Sequence, residues 1–213
     1  MSEYHKIETL FERDPKTFVV GTALKSPVLG TIREWDVDEK IDGTNIRVSL
    51  SAAGEVSFGG RTDAAQIPAD LIQYLIRTFQ QDLLKSALWL DPAAPVDAVL
   101  YGEGYGAGIQ KGGGLYRTDK AFILFDVMVA GKWWLDRTAI AEIASKLGID
   151  VVPYLGRMTL DEIVEHVRTP FPSQIGTGMA EGIVARPIEP LFDQRMKRII
   201  IKLKTKDFQA GKR

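Results

Sequence analysis

The sequence of 213 residues contains no cysteine. That excludes a disulfide scaffold, a thiol nucleophile and a thiolate metal site. Only two histidines are present, His5 and His166, which argues against a histidine-built metal centre or a Ser-His triad. No apolar run approaches the roughly 18 residues that a membrane-spanning helix needs, so no membrane partner is expected. The opening residues, Met1-Ser2-Glu3-Tyr4-His5-Lys6, lack the apolar core of a secretory signal, and the expected location is cytoplasmic. Neither sign of charge dominates, with 27 Lys and Arg against 28 Asp and Glu. Whatever chemistry the chain performs must therefore run on Lys, Arg, Asp and Glu. A chain of this length buries roughly 70% of its unfolded surface, so it folds without metal or disulfide support, and one large domain is the first expectation.

The near-neutral total hides an asymmetry. From Arg195 to Arg213 there are eight basic residues and one acid, Asp207, a net of +7, so the rest of the chain carries −8. A basic stretch on an acidic body suits a localised anionic partner. Residues 15–34, punctuated by Pro15, Gly21, Pro27 and Gly30, read as loop. Trp35–Ile41, Asn45–Ser51 and Glu55–Phe58 read as strands, with Asp42-Gly43 breaking the first two. Apolar residues at Leu71, Ile72, Leu75, Ile76, Phe79, Leu83 and Leu84 predict an amphipathic helix over 68–89. Ala98–Glu103 predicts a strand entering a glycine-rich loop, 102–114, and Ala121–Val129 a buried strand. Arg137–Leu147 and Leu160–Val167 predict helices, with Gly148 as C-cap and Thr159 as N-cap. Glu181–Arg186 and Ile199–Lys204 complete the strands. The class is α+β, mostly antiparallel sheets with helices packed outside.

Three features carry chemistry. In Glu39-Lys40-Ile41-Asp42-Gly43-Thr44-Asn45, Lys40 ends a strand at a tight turn. A lysine is a covalent nucleophile only when neutral, and nearby positive charge or desolvation favours that state. By composition alone Lys-x-Asp-Gly arises in about one such chain in twenty, so the motif needs support. It comes from Ile201-Lys202-Leu203-Lys204-Thr205-Lys206, where a period of two puts the three lysines on one face, a phosphate-binding wall. The alternative for that segment is an edge strand guarded by lysines. Glu103, Asp126 and Glu181 stand at strand ends in apolar or glycine contexts, where an acid is usually paired or bound to a metal or hydroxyl. Gly102, Gly104, Gly106 and Gly108 alternate and do not match a Gly-x-Gly-x-x-Gly turn, and Lys111-Gly112 is not a Gly-Lys-Ser/Thr phosphate loop.

The order of these pieces decides between readings. Lys-x-Asp-Gly, an acid in Tyr-Gly-Glu, Phe-Asp, Glu-Gly-Ile-Val and Lys-x-Lys, collinear from Lys40 to Lys204, resembles the covalent nucleotidyltransferase superfamily of polynucleotide ligases and mRNA capping enzymes. The run Glu-Lys-Ile-x-Gly-Thr-Asn is similar to ATP-dependent RNA ligases of the phage T4 RNA ligase 2 type, although that branch often has histidine where this chain has Asp42. The resemblance implies an adenylyltransferase, ATP-grasp-like domain of antiparallel sheets flanked by helices, spanning 1–213. No OB-fold or accessory domain is expected after Lys204. It implies that Lys40 attacks the α-phosphate of ATP and holds AMP, which passes to a 5′-phosphate end before a 3′-hydroxyl seals the bond. Glu39 would then face the adenine, Asn45 and Arg61 the nucleotide, Glu103 the ribose, and Phe125 would stack on the base. Glu181 and Asp126 would hold Mg²⁺ or Mn²⁺, and Lys202 and Lys204 the phosphates. The implied partners are ATP and RNA or nicked duplex with 5′-phosphate and 3′-hydroxyl ends, in a bacterial or phage setting. The alternatives are a minimal ATP-dependent DNA ligase and a catalytically idle module that binds nucleic-acid ends.

Overall fold

The computed structural model describes residues 2–17 and 19–208; Lys212 and Arg213 of the basic terminal stretch lie outside the described residues. Along the chain the strands begin with β1 (Glu8–Thr9), β2 (Phe11–Arg13), β3 (Val20–Leu24), β4 (Trp35–Lys40), β5 (Thr44–Leu50) and β6 (Val56–Gly59). Helices α1 (Ala69–Thr78) and α2 (Gln81–Leu88) precede β7 (Ala98–Gly106), β8 (Lys120–Val129) and β9 (Trp133–Trp134). Helix α3 (Arg137–Leu147) leads to β10 (Asp150–Val151) and β11 (Tyr154–Met158), and α4 (Leu160–Arg168) to β12 (Gly182–Pro187) and β13 (Ile201–Lys204). The class is α+β, as the sequence predicts. No helix of the described residues is long and apolar enough to cross a membrane.

The chain divides into two compact units, Met1–Tyr4 with Asp42–Val152 and His5–Ile41 with Pro153–Arg213. In the first, β10-β8-β7-β5-β6 form one sheet with β9 added on β8. Ile46, Val48, Leu50, Leu100, Phe122 and Leu124 pack there against Leu71, Leu75, Leu84, Ile140 and Leu147 of the three helices. In the second, β1-β13-β12-β4-β11 form a five-stranded sheet, and β2 pairs with β3. Its core joins Trp35, Val37, Ile183, Ala185, Ile201 and Leu203 to Ile163 and Val167 of α4. Each fully buried aliphatic side chain contributes about 1.5–3 kcal/mol.

Four departures from the sequence reading have local causes. The helix predicted over 68–89 is two helices. Phe79 leaves helical geometry while staying buried, and the Gln80 side chain donates to the Ile76 carbonyl at the break. The apolar phase survives across it, so periodicity alone reads it as one helix. Strand β7 runs on through Gly102 and Gly104, because these glycines face the core. A Cβ on Gly102 would meet Phe122 Cζ at 2.2 Å, so glycine lets the aromatic ring close on the sheet. Asp42-Gly43 is not a hairpin turn, since β4 and β5 belong to different sheets. Residues 15–34 hold a strand, β3, paired with β2.

Candidate active site

In the second unit β4 lies between β12 and β11, and the register aligns Lys40 with Gly182 and Gly182 with Lys204. Trp35 and Val37 point into the core, so alternation turns Lys40 to the opposite face of the sheet. Glu181 immediately precedes this row. Its carboxylate accepts from Lys40 Nζ at 2.5 Å on one oxygen and from Lys204 Nζ on the other. The three side chains are 12–23% exposed, half sheltered yet open to a ligand. Burial pushes the Glu181 carboxyl up, but the charges and hydrogen bonds of Lys40 and Lys204 outweigh it and hold the group below its usual range.

Backbone geometry fixes this arrangement. Gly182 has φ +155°, and a Cβ there would lie 2.0 Å from the Leu203 carbonyl oxygen, so only glycine lets β12 approach β13 so closely at this point. The Glu181 carbonyl accepts from Thr205 N at 3.0 Å. After Lys204 the strand ends. Thr205–Phe208 form a 3-10 turn whose Asp207 accepts from Lys204 N at 3.2 Å and from Arg13 Nη2 at 2.8 Å. Lys206 therefore leaves the strand, and the expected row of three lysines reduces to two. Lys202 pairs in register with Val184, one step along the same face from Lys204.

Glu39 points the other way. It is buried, accepting from Ser173 Oγ at 2.5 Å and from Gln174 N at 2.8 Å. Its carboxylate anchors the 173–174 turn, which leaves the Glu39 backbone as the part available to face an adenine.

The remaining candidates belong to the first unit. In its sheet Asn45 pairs with Glu103, Arg47 with Tyr101, and Tyr101 with Asp126. Ile46, Val48 and Leu100 face the helices, so Asn45, Arg47, Tyr101 and Glu103 share the face turned away from them. Asn45 Oδ1 is buried without a hydrogen-bond partner among the described residues. A register shift between Tyr101 and Gly102 opens the ladder beside Phe125 and Asp126. Tyr4, which no sequence signal marked, gathers this region. Its ring meets Phe125 edge-on at 5.1 Å and Tyr101 at 5.0 Å, and its hydroxyl donates to Asp126 Oδ2 at 2.8 Å. Arg61 is exposed in the loop after β6. Fully buried Arg47 brackets that loop, donating to the Gly60 carbonyl and to Asp63 Oδ1, both at 2.7 Å.

No group of three His, Asp or Glu side chains among the described residues forms a metal cage. Asp126 is fully buried, with Oδ2 taken by Tyr4 and Oδ1 by Val127 N, which fits a structural acid better than a metal ligand. Glu181 holds a partly exposed carboxylate between two lysines. It fits a hydrated Mg²⁺ or Mn²⁺ taking one protein carboxylate oxygen in place of an ammonium group, with substrate phosphates and water completing the shell.

Comparison with known proteins adds the following. The family model described as RNA ligase matches residues 33–204. Solved structures of the RNA ligase of Naegleria gruberi share the fold. A mutant with ATP and Mn superposes with TM-score 0.69 at 17% identity, covering 100% of this chain and 58% of that one. A mutant with AMP and Mn gives 0.64 at 18%, covering 96% and 61%. The protein with PPi gives 0.64 at 18%, covering 98% and 64%. The chain thus spans about three-fifths of the length of these structures. A search of the curated proteins finds no match.

Proposed function

The chain belongs to the RNA ligase family, and from that premise we propose that it activates RNA ends with ATP through an AMP-lysine bond at Lys40. The observation that carries this reading is the Glu181 carboxylate held between Lys40 and Lys204 on neighbouring strands. This supports a nucleophile and a phosphate-binding cation on neighbouring strands with an acid beside them.

In the first step Lys40 Nζ, once deprotonated, attacks the α-phosphorus of ATP. The N–P bond forms as the bond from the α-phosphorus to the bridging oxygen breaks, and pyrophosphate leaves with the electron pair. Glu181 orients the amine before attack, and the ammonium proton leaves to solvent. Lys204, with Lys202 one step along, supplies fixed positive charge where the α-phosphate and leaving group gain negative charge. A divalent ion held at Glu181 would screen the charge between nucleophile and phosphates. The buried, unpartnered Asn45 Oδ1 and the nearby Glu103 suit hydroxyl or amine donors of a nucleoside. Phe125, half-buried beside Tyr4, offers an aromatic surface for the base. The N. gruberi structures hold ATP, AMP and Mn, in keeping with these ligands. In the later steps AMP moves to a 5′-phosphate and a 3′-hydroxyl displaces it.

The test offers ATP, Mn²⁺ or Mg²⁺ and nicked duplexes whose 3′-hydroxyl end carries ribose or deoxyribose. Sealing, or accumulation of adenylated 5′ ends, that favours ribose supports an RNA ligase. Equal sealing of both ends supports a nick-sealing enzyme indifferent to the sugar. The absence of both sealing and adenylated ends, on both substrates, contradicts the proposal.

A further inference from the structure

Beyond the Lys40–Glu181–Lys204 row, the segment joining β12 to β13 carries chemistry that the ligation steps do not use. Residues 191–199 double back as a hairpin. Phe192 bridges Arg198, Asp193 N donates to the Lys197 carbonyl at 2.8 Å, and Ile199 N donates to the Leu191 carbonyl at 2.8 Å. The tip is internally fixed, because Asp193 Oδ1 accepts from both Arg195 N and Lys197 N at 2.8 Å. Its one acid is thus engaged with backbone. Three large apolar side chains are left in solvent, with Leu191 40%, Phe192 46% and Met196 76% exposed. Arg195 and Lys197, both exposed, flank Met196 at the tip.

A thioether between two cations, with an exposed aromatic bridged across the hairpin to Arg198, matches single-stranded nucleic acid, whose bases stack on apolar faces while its phosphates take the charges. A protein partner would account for the apolar residues but not for the cations on either side of Met196. The hairpin continues the two strands that hold Glu181 and Lys204. Seven residues of extended chain separate Lys204 from Lys197, about 23 Å at the strand rise, so the tip lies several nucleotides from a reacting end.

We propose that the 191–198 hairpin is a binding site for single-stranded RNA, with Phe192 and Met196 receiving bases and Arg195 and Lys197 pairing with phosphates. The proposal rests on the RNA ligase reading for its choice of nucleic acid. It is tested by fluorescence anisotropy of the full chain with a 5′-phosphorylated single-stranded RNA of about a dozen nucleotides, across a salt series. Phe192→Ala/Met196→Ala should bind about tenfold more weakly with an unchanged salt slope. Arg195→Ala/Lys197→Ala should flatten the slope of log K against log salt by about 1.4, two phosphate contacts' worth. Both variants should label Lys40 with AMP at the wild-type rate, since neither touches that row. Wild-type RNA binding in both variants overturns the proposal, as does a wild-type chain that binds no RNA. So does a change of oligomeric state in the Phe192/Met196 variant with RNA affinity unaltered, which assigns the patch to protein contact. Failure of the wild-type chain to label Lys40 counts instead against the lysyl-AMP reading and is scored separately from RNA affinity.

Discussion

Replacing Glu181 by Gln perturbs the centre of the site with little change in shape. Lys40 and Lys204 each hold a different oxygen of one carboxylate. Their ammonium groups therefore lie within about 7 Å of each other, where two unit charges repel by about 2.4 kcal/mol at an effective dielectric of about 20. Removing one member of a mostly buried ionic cluster costs about 3–5 kcal/mol. The 12–23% exposure of these side chains places Glu181→Gln near the lower end, at about 3 kcal/mol. The lost attraction of the carboxylate for both ammonium groups supplies most of that and leaves their repulsion uncompensated, and the rest comes from charge-assisted hydrogen bonds weakened to neutral ones. Urea unfolding at neutral pH, followed through fully buried Trp35 in the same core, measures it. Adding Lys204→Met to Glu181→Gln removes the repulsion and should recover about 2 kcal/mol. A Glu181→Gln protein within 1 kcal/mol of wild type, or no recovery in the double variant, refutes the reasoning.

Three further outcomes follow from the same geometry. Because Glu181 is held below its ordinary value near 4.5, its contribution to stability is complete above that pH and is lost as pH falls through the lower folded value. Glu181→Gln should flatten this part of an acid-denaturation curve. Gly182→Ala should lose most Lys40 adenylation and destabilise the fold by several kcal/mol, because its Cβ would lie 2.0 Å from the Leu203 carbonyl oxygen; wild-type melting would contradict this. Tyr4→Phe keeps the ring contacts but leaves the buried Asp126 carboxylate one donor short. A loss of about 1–3 kcal/mol is expected in denaturant titration.

The parts legible in sequence were those with local signals. Helix α3 ends where Gly148 takes a left-handed conformation, and α4 begins at Thr159 with a complete capping box. Strands β4 and β5 stood out between turn breaks, and β8 by its apolar content. Short strands with glycine inside them did not. Strand β11 carries Gly156 at φ +118° beside a register shift, and its pattern dissolves there. For the site, motif order nominated Lys40, Glu181 and Lys204 although 141 residues separate the first two, since each motif ends a strand of the same sheet. What stayed hidden was long-range and unpatterned. Tyr4 reaches Asp126 across 122 residues, and the Glu39 carboxylate is absorbed by a turn 134 residues away. Nothing near either acid in sequence announces these partners.

The covalent bond between Lys40 and AMP is tested most directly by incubating the chain with α-labelled ATP and Mg²⁺ or Mn²⁺, beside Lys40→Ala, and running a denaturing gel. Acid-labile label is expected on the wild type and not on Lys40→Ala, with the adenylate mapped to the peptide that contains Lys40. A wild-type chain that takes no label with either metal, or label retained by Lys40→Ala, would contradict it.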